Sequence, residues 1–356
     1  FGAGLVLMDS RSGERSIAGL WYRRLGWLVV IGAAHAYLLW FGDILFSYAV
    51  LGMAIYPLRA WSPRRLLAIG GVMMVIGLGL SSFGGFFAQK MRTEGPRLLA
   101  EQEAGATLGP RESGMLQQWK DMRVMTDPSA EDARRDVEIY RDGSFGEILA
   151  HRAPVSAMMQ TAGLFFFGIW RMGALMLWGM ALMKLGVFSA ERSDAFYRRL
   201  ALFGYGLGLP LLAVSSSLLA SRRWDFVFLQ IQGIHWNLVG SLGIALGHVA
   251  VVMLVWRSGA ARALMARLEA VGQMALSNYL THTLVFTLLF YSYGFGLYGR
   301  IERPAQMLLV LAMWALQLVI SPWWLARFRF GPAEWLWRSL TYGERQPLSR
   351  PGTPIP

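Results

Sequence analysis

The sequence predicts an all-α, polytopic membrane protein, a bundle of about eight spans. Of its 356 residues, 55% are hydrophobic and 16% are charged, whereas a soluble domain typically carries about 25% charged residues. The charges are missing in blocks. Several stretches of about 18 or more residues contain no Asp, Glu, Lys or Arg, and a helix of that length crosses a hydrocarbon core of ~30 Å. We therefore place the chain in a membrane.

The predicted spans cover residues 25–42, 44–58, 66–84, 156–183, 200–220, 228–256, 270–292 and 304–326. Proline opens the third span at Pro63 and the eighth at Pro304, because proline is tolerated in the first helical turn. The apolar stretch 1–8 is too short to span and has no initiator Met before it. We expect it to end a helix whose beginning is missing, so that the numbered chain is truncated.

Positive charges are distributed unevenly over the connections between these spans. If the spans alternate in direction, one set of connections holds 19 Lys and Arg residues and the short connections of the other hold four. The positive-inside rule places the richer set, with the C-terminus, in the cytoplasm. That set is Arg11, Arg15, Arg23, Arg24, Arg59, Arg64, Arg65, Lys184, Arg192, Arg198, Arg199, Arg257, Arg262, Arg267, Arg327, Arg329, Arg338, Arg345 and Arg350; the other is Arg222, Arg223, Arg300 and Arg303.

This distribution also explains the net charge of +12. The basic residues lie at the ends of apolar segments, as topology signals do, so we do not expect nucleic-acid binding. The chain has no Cys, which excludes disulfides, thiolate metal sites and a Cys nucleophile. The expected partners are membrane lipids.

The segment 85–154 differs in composition from the rest, with ten Lys and Arg and twelve Asp and Glu residues. Span parity places it outside the membrane as a lid or binding element. Capping boxes at Ser129–Asp132 and Ser144–Glu147 predict two short helices, the second ending near Pro154. We divide the chain into an N-terminal membrane part (1–84), this extracytoplasmic loop (85–154), a C-terminal membrane part (155–327) and a cytoplasmic interfacial helix with tail (328–356).

The C-terminal part contains one more predicted helix. Gly331-Pro332 with Glu334 indicates its start and Gly343 its end. Its aromatic residues and arginines suit a helix at the cytoplasmic interface, and residues 346–356 are expected to be disordered.

Ionisable groups inside a span are costly unless they face the protein interior or water. His35 lies within the first span, and its imidazole could act as a general base on a hydroxyl. Asp43, on the same hairpin, could orient the ring or a substrate. The alternative is structural: His35 bonds a neighbouring helix and Asp43 caps the second span.

Arg171 is the permanent cation inside the predicted spans. We expect an anionic ligand group, a protein carboxylate such as Asp43 or Glu147, or a water-filled cavity beside it. If the fourth segment is two half-helices, Arg171 is instead a turn residue.

Two further clusters are candidates for substrate binding. Glu147 and His151 share a face of the short outer helix, as a carboxylate–imidazole pair or as a plain surface pair, and Arg152 could bind an anion there. Asn278 and His282 share a face of the seventh span, where hydrogen bonds between helices are the simpler explanation. His235 and His248 lie on roughly opposite faces of one helix and cannot ligate one metal together. No metalloprotease, P-loop or nucleophile-elbow motif is present, and we predict no metal.

Five segments are distinctive: Tyr22–Gly26, Gly32–Ala49, Tyr140–Glu147, Gly272–Tyr279 and Phe328–Gly343. These segments resemble the YeiB-like family of bacterial membrane proteins, a domain of unknown function. The family usually begins with a further hydrophobic segment, and its members often have Gln where this chain has His282. The family is distantly similar to the transmembrane acyltransferases, which pass an acyl group from cytosolic acyl-CoA to a sugar on the far side using an intramembrane His. The resemblance implies a bacterial inner-membrane location.

The first functional hypothesis is accordingly a membrane acyltransferase. Acyl-CoA would be the donor, Arg171 would hold an anionic part of it, His35 would deprotonate the acceptor hydroxyl of a glycan or lipid, and segment 85–154 would select the acceptor. The alternatives are a transporter or exporter of a lipid or small anion, and a signalling or scaffold role of the outer loop.

Overall fold

A computed structural model describes residues 1–13, 16–126 and 129–350. The chain is 81% helical, and the β contact found in the described part is an isolated bridge between Phe328 and Ser349. The all-α prediction is confirmed. Arg15 and residues 351–356, which the topology and tail predictions include, lie outside the described residues.

The helices follow one another with short connections. In chain order they are α1 (Gly2–Arg11), α2 (Ala18–Leu38), α3 (Leu45–Ala60), α4 (Pro63–Glu103), α5 (Pro110–Thr126), α6 (Ala130–Asp142), α7 (Phe145–Lys184), α8 (Asp194–Ser221), α9 (Phe226–Ser258), α10 (Arg262–Gln273), α11 (Ala275–Phe290), α12 (Arg303–Leu325) and α13 (Pro332–Tyr342).

Five of these helices, α4, α7, α8, α9 and α12, are long and apolar enough to cross a membrane. Each covers one of the predicted spans completely or almost completely. The other three predicted spans correspond to α2 and to the shorter apolar helices α3 and α11. Large apolar side chains point outward, for example Phe83 at 71%, Leu202 at 70% and Leu308 at 67% exposure. Such exposure suits lipid contact, and the chain is an all-α membrane protein.

The segment 85–154 is more helical than predicted. Helix α4 runs past residue 84 to Glu103, and α5 follows it. The two capping boxes are confirmed: Ser129 and Asp132 bond reciprocally at the start of α6, and Ser144 and Glu147 do so at the start of α7.

The predicted end of the second helix near Pro154 is wrong, because α7 continues through this proline to Lys184. Arg152 and Ser156, on either side of Pro154, both bond backbone carbonyls of α2, which holds the two turns in line. From Met159 to Gly173 the helix has π-type hydrogen bonding, a form usually confined to single turns. The alternative of two half-helices around Arg171 is therefore also wrong.

The described chain forms two compact units. The first contains Phe1–Gly70, Val137–Ala190 and the described residues from Val255 onwards; the second contains Gly71–Asp136 and Glu191–Leu254. In the second unit, α4 packs on α5 through a cluster of Met91, Leu98, Leu116 and Trp119. In the first, α2 packs on α3, α7 and α13.

Helices α11 and α13 cap each other within the first unit. The carboxylate of Glu334 accepts hydrogen bonds from the backbone N–H groups of Leu276, at 2.6 Å, and Ser277, at 2.9 Å. The Ser277 hydroxyl donates to Glu334 and accepts from the N–H of Ala333 at 3.0 Å. These bonds satisfy N–H groups in the first turns of both helices.

The predicted helix between Gly331 and Gly343 is confirmed as α13, with Gly343 at a φ of 75° after its last turn. Part of the tail is ordered, against the prediction for residues 346–350. The N–H of Arg329 donates to the carbonyl of Leu348 at 2.8 Å, and that of Arg350 donates to the carbonyl of Arg327 at 3.2 Å. The chain thus folds back on the segment before α13.

Candidate functional site

His35 and Asp43 meet at the turn between α2 and α3. Nδ1 of His35 lies 2.9 Å from Oδ2 of Asp43, and both side chains are 1% exposed. Nδ1 makes no aligned hydrogen bond. The contact between the ring and the carboxylate is therefore electrostatic. Asp43 also accepts a hydrogen bond from the N–H of Phe46 at 2.8 Å, in the first turn of α3. Asp43 therefore caps a helix and faces the imidazole at once.

The other ring nitrogen of His35 reaches α11. Nε2 lies 2.9 Å from the hydroxyl oxygen of Thr283, although the two residues are 248 positions apart. Tyr279, one turn earlier on α11, has its ring centroid 5.0 Å from that of His35 and donates to Asp43 at 3.4 Å. Asp43, His35 and Thr283 thus form a line of carboxylate, imidazole and hydroxyl, which we call the polar triad.

Thr283 lies on the wall of a cavity of about 590 Å³. This volume is in the range of small-molecule sites, about 300–1,000 Å³. The wall is largely aromatic, with a few polar groups. Its residues are Trp40, His282, Thr283, Phe286, Thr287, Phe290, Tyr291, Tyr298, Gly299, Arg303 and Gln306. His35 itself is 2% exposed, so Thr283 is the member of the triad that meets the cavity.

Helix α7 fixes the end of α2 that precedes the triad. Arg152, which is 0% exposed, donates to the carbonyls of Tyr37 at 3.0 Å, Leu38, and Leu39 at 2.5 Å. Ser156 donates to the carbonyl of Ala36 at 3.0 Å. The last carbonyls of a helix have no hydrogen-bond donor inside the helix. Here the guanidinium of Arg152 and the hydroxyl of Ser156 supply the missing donors. Nε, Nη1 and Nη2 of Arg152 thus each donate to a protein carbonyl.

Gly32 allows α2 and α3 to approach closely next to Asp43. A Cβ at this position would lie 2.9 Å from Oδ1 of Asp43 and would collide with the backbone nitrogen of Phe46. We expect Gly32→Ala to push α3 away and lower stability by about 1–3 kcal/mol, the typical cost of overpacking. Thermal unfolding in detergent measures the change. Gly26→Ala, where no atom lies within 4 Å, is the control, and equal stability of the two variants would contradict the expectation.

Asn278 and His282 form hydrogen bonds with α12. The Asn278 side chain donates to the Ser321 hydroxyl at 3.1 Å, and His282 Nε2 lies 3.1 Å from Oε1 of Gln317. Gln317 in turn donates to the Asn278 carbonyl at 3.1 Å. These contacts agree with the simpler of the two explanations. His282 also lines the cavity, whereas Asn278 does not.

The structure does not bring Arg171 to the triad. Its side chain is on the exposed side of α7, is absent from the cavity wall, and has no ion-pair partner in the described part of the chain. The two carboxylates proposed as its neighbours have other partners: Asp43 faces His35, and Glu147 accepts from the N–H and hydroxyl of Ser144, both at 2.7 Å.

The remaining histidines are separate from the triad. His151 packs edge-on against Tyr140, with ring centroids 5.6 Å apart. In the second unit, His235 lies 3.1 Å from the Ser82 hydroxyl, and Nδ1 of His248 lies 2.8 Å from a carbonyl of its own helix.

Sequence reasoning missed Thr283 and the purpose of Arg152. The available signal for Thr283 was the spacing of Thr283 and Thr287, two hydroxyls four residues apart on one face of an apolar helix. For Arg152 the signal was a basic residue next to a hydroxyl-bearing turn in a helix that composition places at the membrane. Neither signal indicates which group the side chain contacts in the folded protein.

These features define a polytopic α-helical membrane protein with a buried polar triad beside an aromatic cavity. The family described as "Protein of unknown function (DUF418)" matches residues 182–344. Over 362 residues the chain is 28% identical to the uncharacterised protein YxaH of Bacillus subtilis, covering 98% of this chain and 79% of that protein. Over 349 residues it is 29% identical to the uncharacterised protein YeiB of Escherichia coli, covering 96% and 79%. No solved structure matches.

The predicted resemblance to the YeiB-like family of unknown function is thus confirmed. Two of the segments that carry it, Gly32–Ala49 and Gly272–Tyr279, contribute His35, Asp43 and Tyr279 to the site. The distant similarity to acyltransferases stays a prediction.

Proposed function

We propose that this protein is a membrane acyltransferase in which the polar triad activates a hydroxyl. The observation that carries the proposal is the contact of 2.9 Å between His35 Nε2 and the Thr283 oxygen, with Asp43 on the opposite side of the ring. A nucleophile, a base and a group that stabilises the protonated base are the parts that acyl transfer through a hydroxyl requires.

The first half of the reaction acylates Thr283. Its oxygen attacks the carbonyl carbon of an acyl thioester such as acyl-CoA, and its proton passes to Nε2 of His35. The carboxylate of Asp43 stabilises the imidazolium that forms. The carbon–sulfur bond breaks, and His35 returns the proton to the leaving thiolate.

The second half transfers the acyl group to an acceptor. An acceptor hydroxyl attacks the Thr283 ester and gives its proton to His35. The bond between the acyl carbon and the Thr283 oxygen breaks, and that oxygen takes the proton back. The cavity, with its tyrosines, Arg303 and Gln306, suits an acceptor with polar groups, such as a glycan or a lipid headgroup.

The proposed orientation follows from the charges of the connections. In a bacterial inner membrane, the positive-inside rule places Arg303 outside and the C-terminus in the cytoplasm. The cavity then opens towards the outer side, where the acceptor enters. The donor approaches from the cytoplasm along the contact of α11 with α12, where Asn278, His282, Gln317 and Ser321 lie. Arg171 has no part in this mechanism.

Reconstituted protein tests the proposal directly. Proteoliposomes are incubated with acyl-CoA, free CoA is measured, and the peptide that contains Thr283 is analysed by mass spectrometry. We expect CoA release and an acyl mass on Thr283, both lost in Thr283→Val. Thr281→Val is the matched control, since the Thr281 hydroxyl bonds the carbonyl of Ser277 within its own helix at 2.7 Å. Absence of both CoA release and the acyl mass would refute the proposal.

A transporter is the second candidate. The apolar helices α7 and α9 are continuous, but each contains a π-type stretch, Met159–Gly173 and Leu229–Gly233, and such departures from regular α-helix are frequent at functional sites. Flux of a lipid or small anion across proteoliposomes without chemical change would select this function over acyl transfer.

A further inference from the structure

A second cavity, of about 220 Å³, lies beside α13 in the first unit. We call it the α13 pocket. Its wall combines Arg24 of α2, the start of α11, and Phe330, Glu334, Trp337 and Arg338 in and before α13. None of these residues belongs to the polar triad or to the larger cavity.

Two arginines enter this pocket over aromatic rings. The Arg24 guanidinium lies 4.0 Å from the centre of the Trp337 ring, and the Arg338 guanidinium lies 4.5 Å from that of Phe330. Trp337 is held in turn, because its indole N–H donates to the Arg24 carbonyl at 2.8 Å. A guanidinium stacked on a ring keeps its N–H groups free at its edge.

Those edges have no protein partner in the described residues. No carboxylate pairs with either arginine, and Nε of Arg338 is buried without a hydrogen bond. Glu334 is the acidic residue of the pocket wall, and its two oxygens already accept from the first turn of α11. The positive charges of Arg24 and Arg338 also repel each other.

We propose that the α13 pocket binds a phosphate ester. Two guanidinium forks can hold phosphate oxygens in pairs of hydrogen bonds, for which arginine is better suited than lysine. An anion between them removes the repulsion and supplies acceptors to the N–H groups at the accessible edges of the two guanidinium groups. The volume is below the ~300 Å³ of sites for drug-sized ligands, so the pocket takes one phosphate group of a larger molecule.

Arginines at a membrane interface often lie on aromatic rings for structural reasons alone. Arg327, stacked on Trp323 at 4.5 Å, is such a residue outside the pocket. It is exposed and bonds the carbonyl of Trp323 at 3.2 Å, whereas Arg338 keeps a buried nitrogen without a partner. This difference distinguishes the pocket from ordinary stacking.

The phosphate can come from a soluble compound or from a lipid headgroup, and two measurements distinguish these sources. In the first, the affinity of the full chain in detergent for inorganic pyrophosphate is measured by thermal shift. In the second, native mass spectrometry compares retention of phosphatidylglycerol with that of a glycolipid without phosphate. Arg24→Gln and Arg338→Gln are the test variants, and Arg327→Gln is the matched control.

We expect each test variant to lose about tenfold or more in affinity in one of the two measurements, as expected for a lost charge-assisted hydrogen bond. The control keeps the wild-type affinity. Arg338→Lys keeps the positive charge but lacks the paired N–H donors of the guanidinium. We expect this variant, too, to bind more weakly. Binding of neither probe by the wild type, or equal binding by all variants, would overturn the proposal. The test does not depend on acyl transfer, so it can fail without affecting the proposal for the polar triad, and the reverse also holds.

Discussion

Replacing His35 by glutamine is expected to lower the rate of acyl transfer by about 10²–10⁴-fold, the usual contribution of general acid–base catalysis. Glutamine can still bond the Thr283 hydroxyl, but it cannot accept the proton. Thr283→Val removes the oxygen that becomes acylated and is expected to reduce the rate at least as much. The measurement is CoA release from proteoliposomes under single-turnover conditions.

Two comparisons separate catalysis from folding in this experiment. His248→Gln changes a histidine that bonds a carbonyl of its own helix, and we expect it to keep the wild-type rate. Because His35 and Thr283 act in one step, the double variant should be no slower than the worse single variant. Multiplied effects, or a wild-type rate for His35→Gln, would show that the triad does not act as a unit.

Arg152→Met is expected to be the most destabilising of the proposed substitutions. It leaves the carbonyls of Tyr37, Leu38 and Leu39 without their shared donor in a buried place. Each buried acceptor left without a donor typically costs about 1–3 kcal/mol, and here three carbonyls lose theirs. Methionine fills similar space, so the loss reflects the hydrogen bonds. A thermal unfolding series in detergent, read by tryptophan fluorescence, measures it.

Arg141→Met is the control for this prediction. Arg141 pairs with Asp142 at the partly exposed end of α6, at 2.8 Å, and surface pairs contribute about 0–1 kcal/mol. A loss of stability by Arg152→Met no larger than that of the control would contradict the expectation. Because Arg152 holds the turn before Asp43, its replacement should also slow acyl transfer in the protein that remains folded.

The membrane fold was predictable because its signals are local. Charge-free stretches, the capping boxes at Ser129 and Ser144, and the Gly-Pro start of α13 each lie within a few residues of what they determine. The pairing of His35 with Asp43 was accessible for the same reason, since one turn connects them. The helix end at Pro154 was predicted wrongly because the contacts on both sides of this proline come from α2, which is distant in sequence.

The rest of the site depends on long-range contacts. Thr283 meets His35 across 248 positions, and no pattern around Thr283 indicates which helix it faces. For Arg171, the sequence indicated a position within the helix but not the side of the helix on which it lies. Its position inside an apolar stretch predicted an interior cation, but periodicity could not decide which side of α7 it occupies. The arginines of the α13 pocket, Arg24 and Arg338, were predicted as topology signals, and Arg338 also as part of an interfacial helix; neither was predicted as part of a binding site.

The reciprocal caps of α11 and α13 set an order for assembly. Residues Pro332–Tyr342 are synthesised after Ala275–Phe290, yet Glu334 supplies the acceptors for the first N–H groups of the earlier helix. Until that carboxylate arrives, the turn that leads to Tyr279 and Thr283 has unpaired amides and frays. The last helix of the chain therefore helps to fix the turn that leads to the contact between Thr283 and His35.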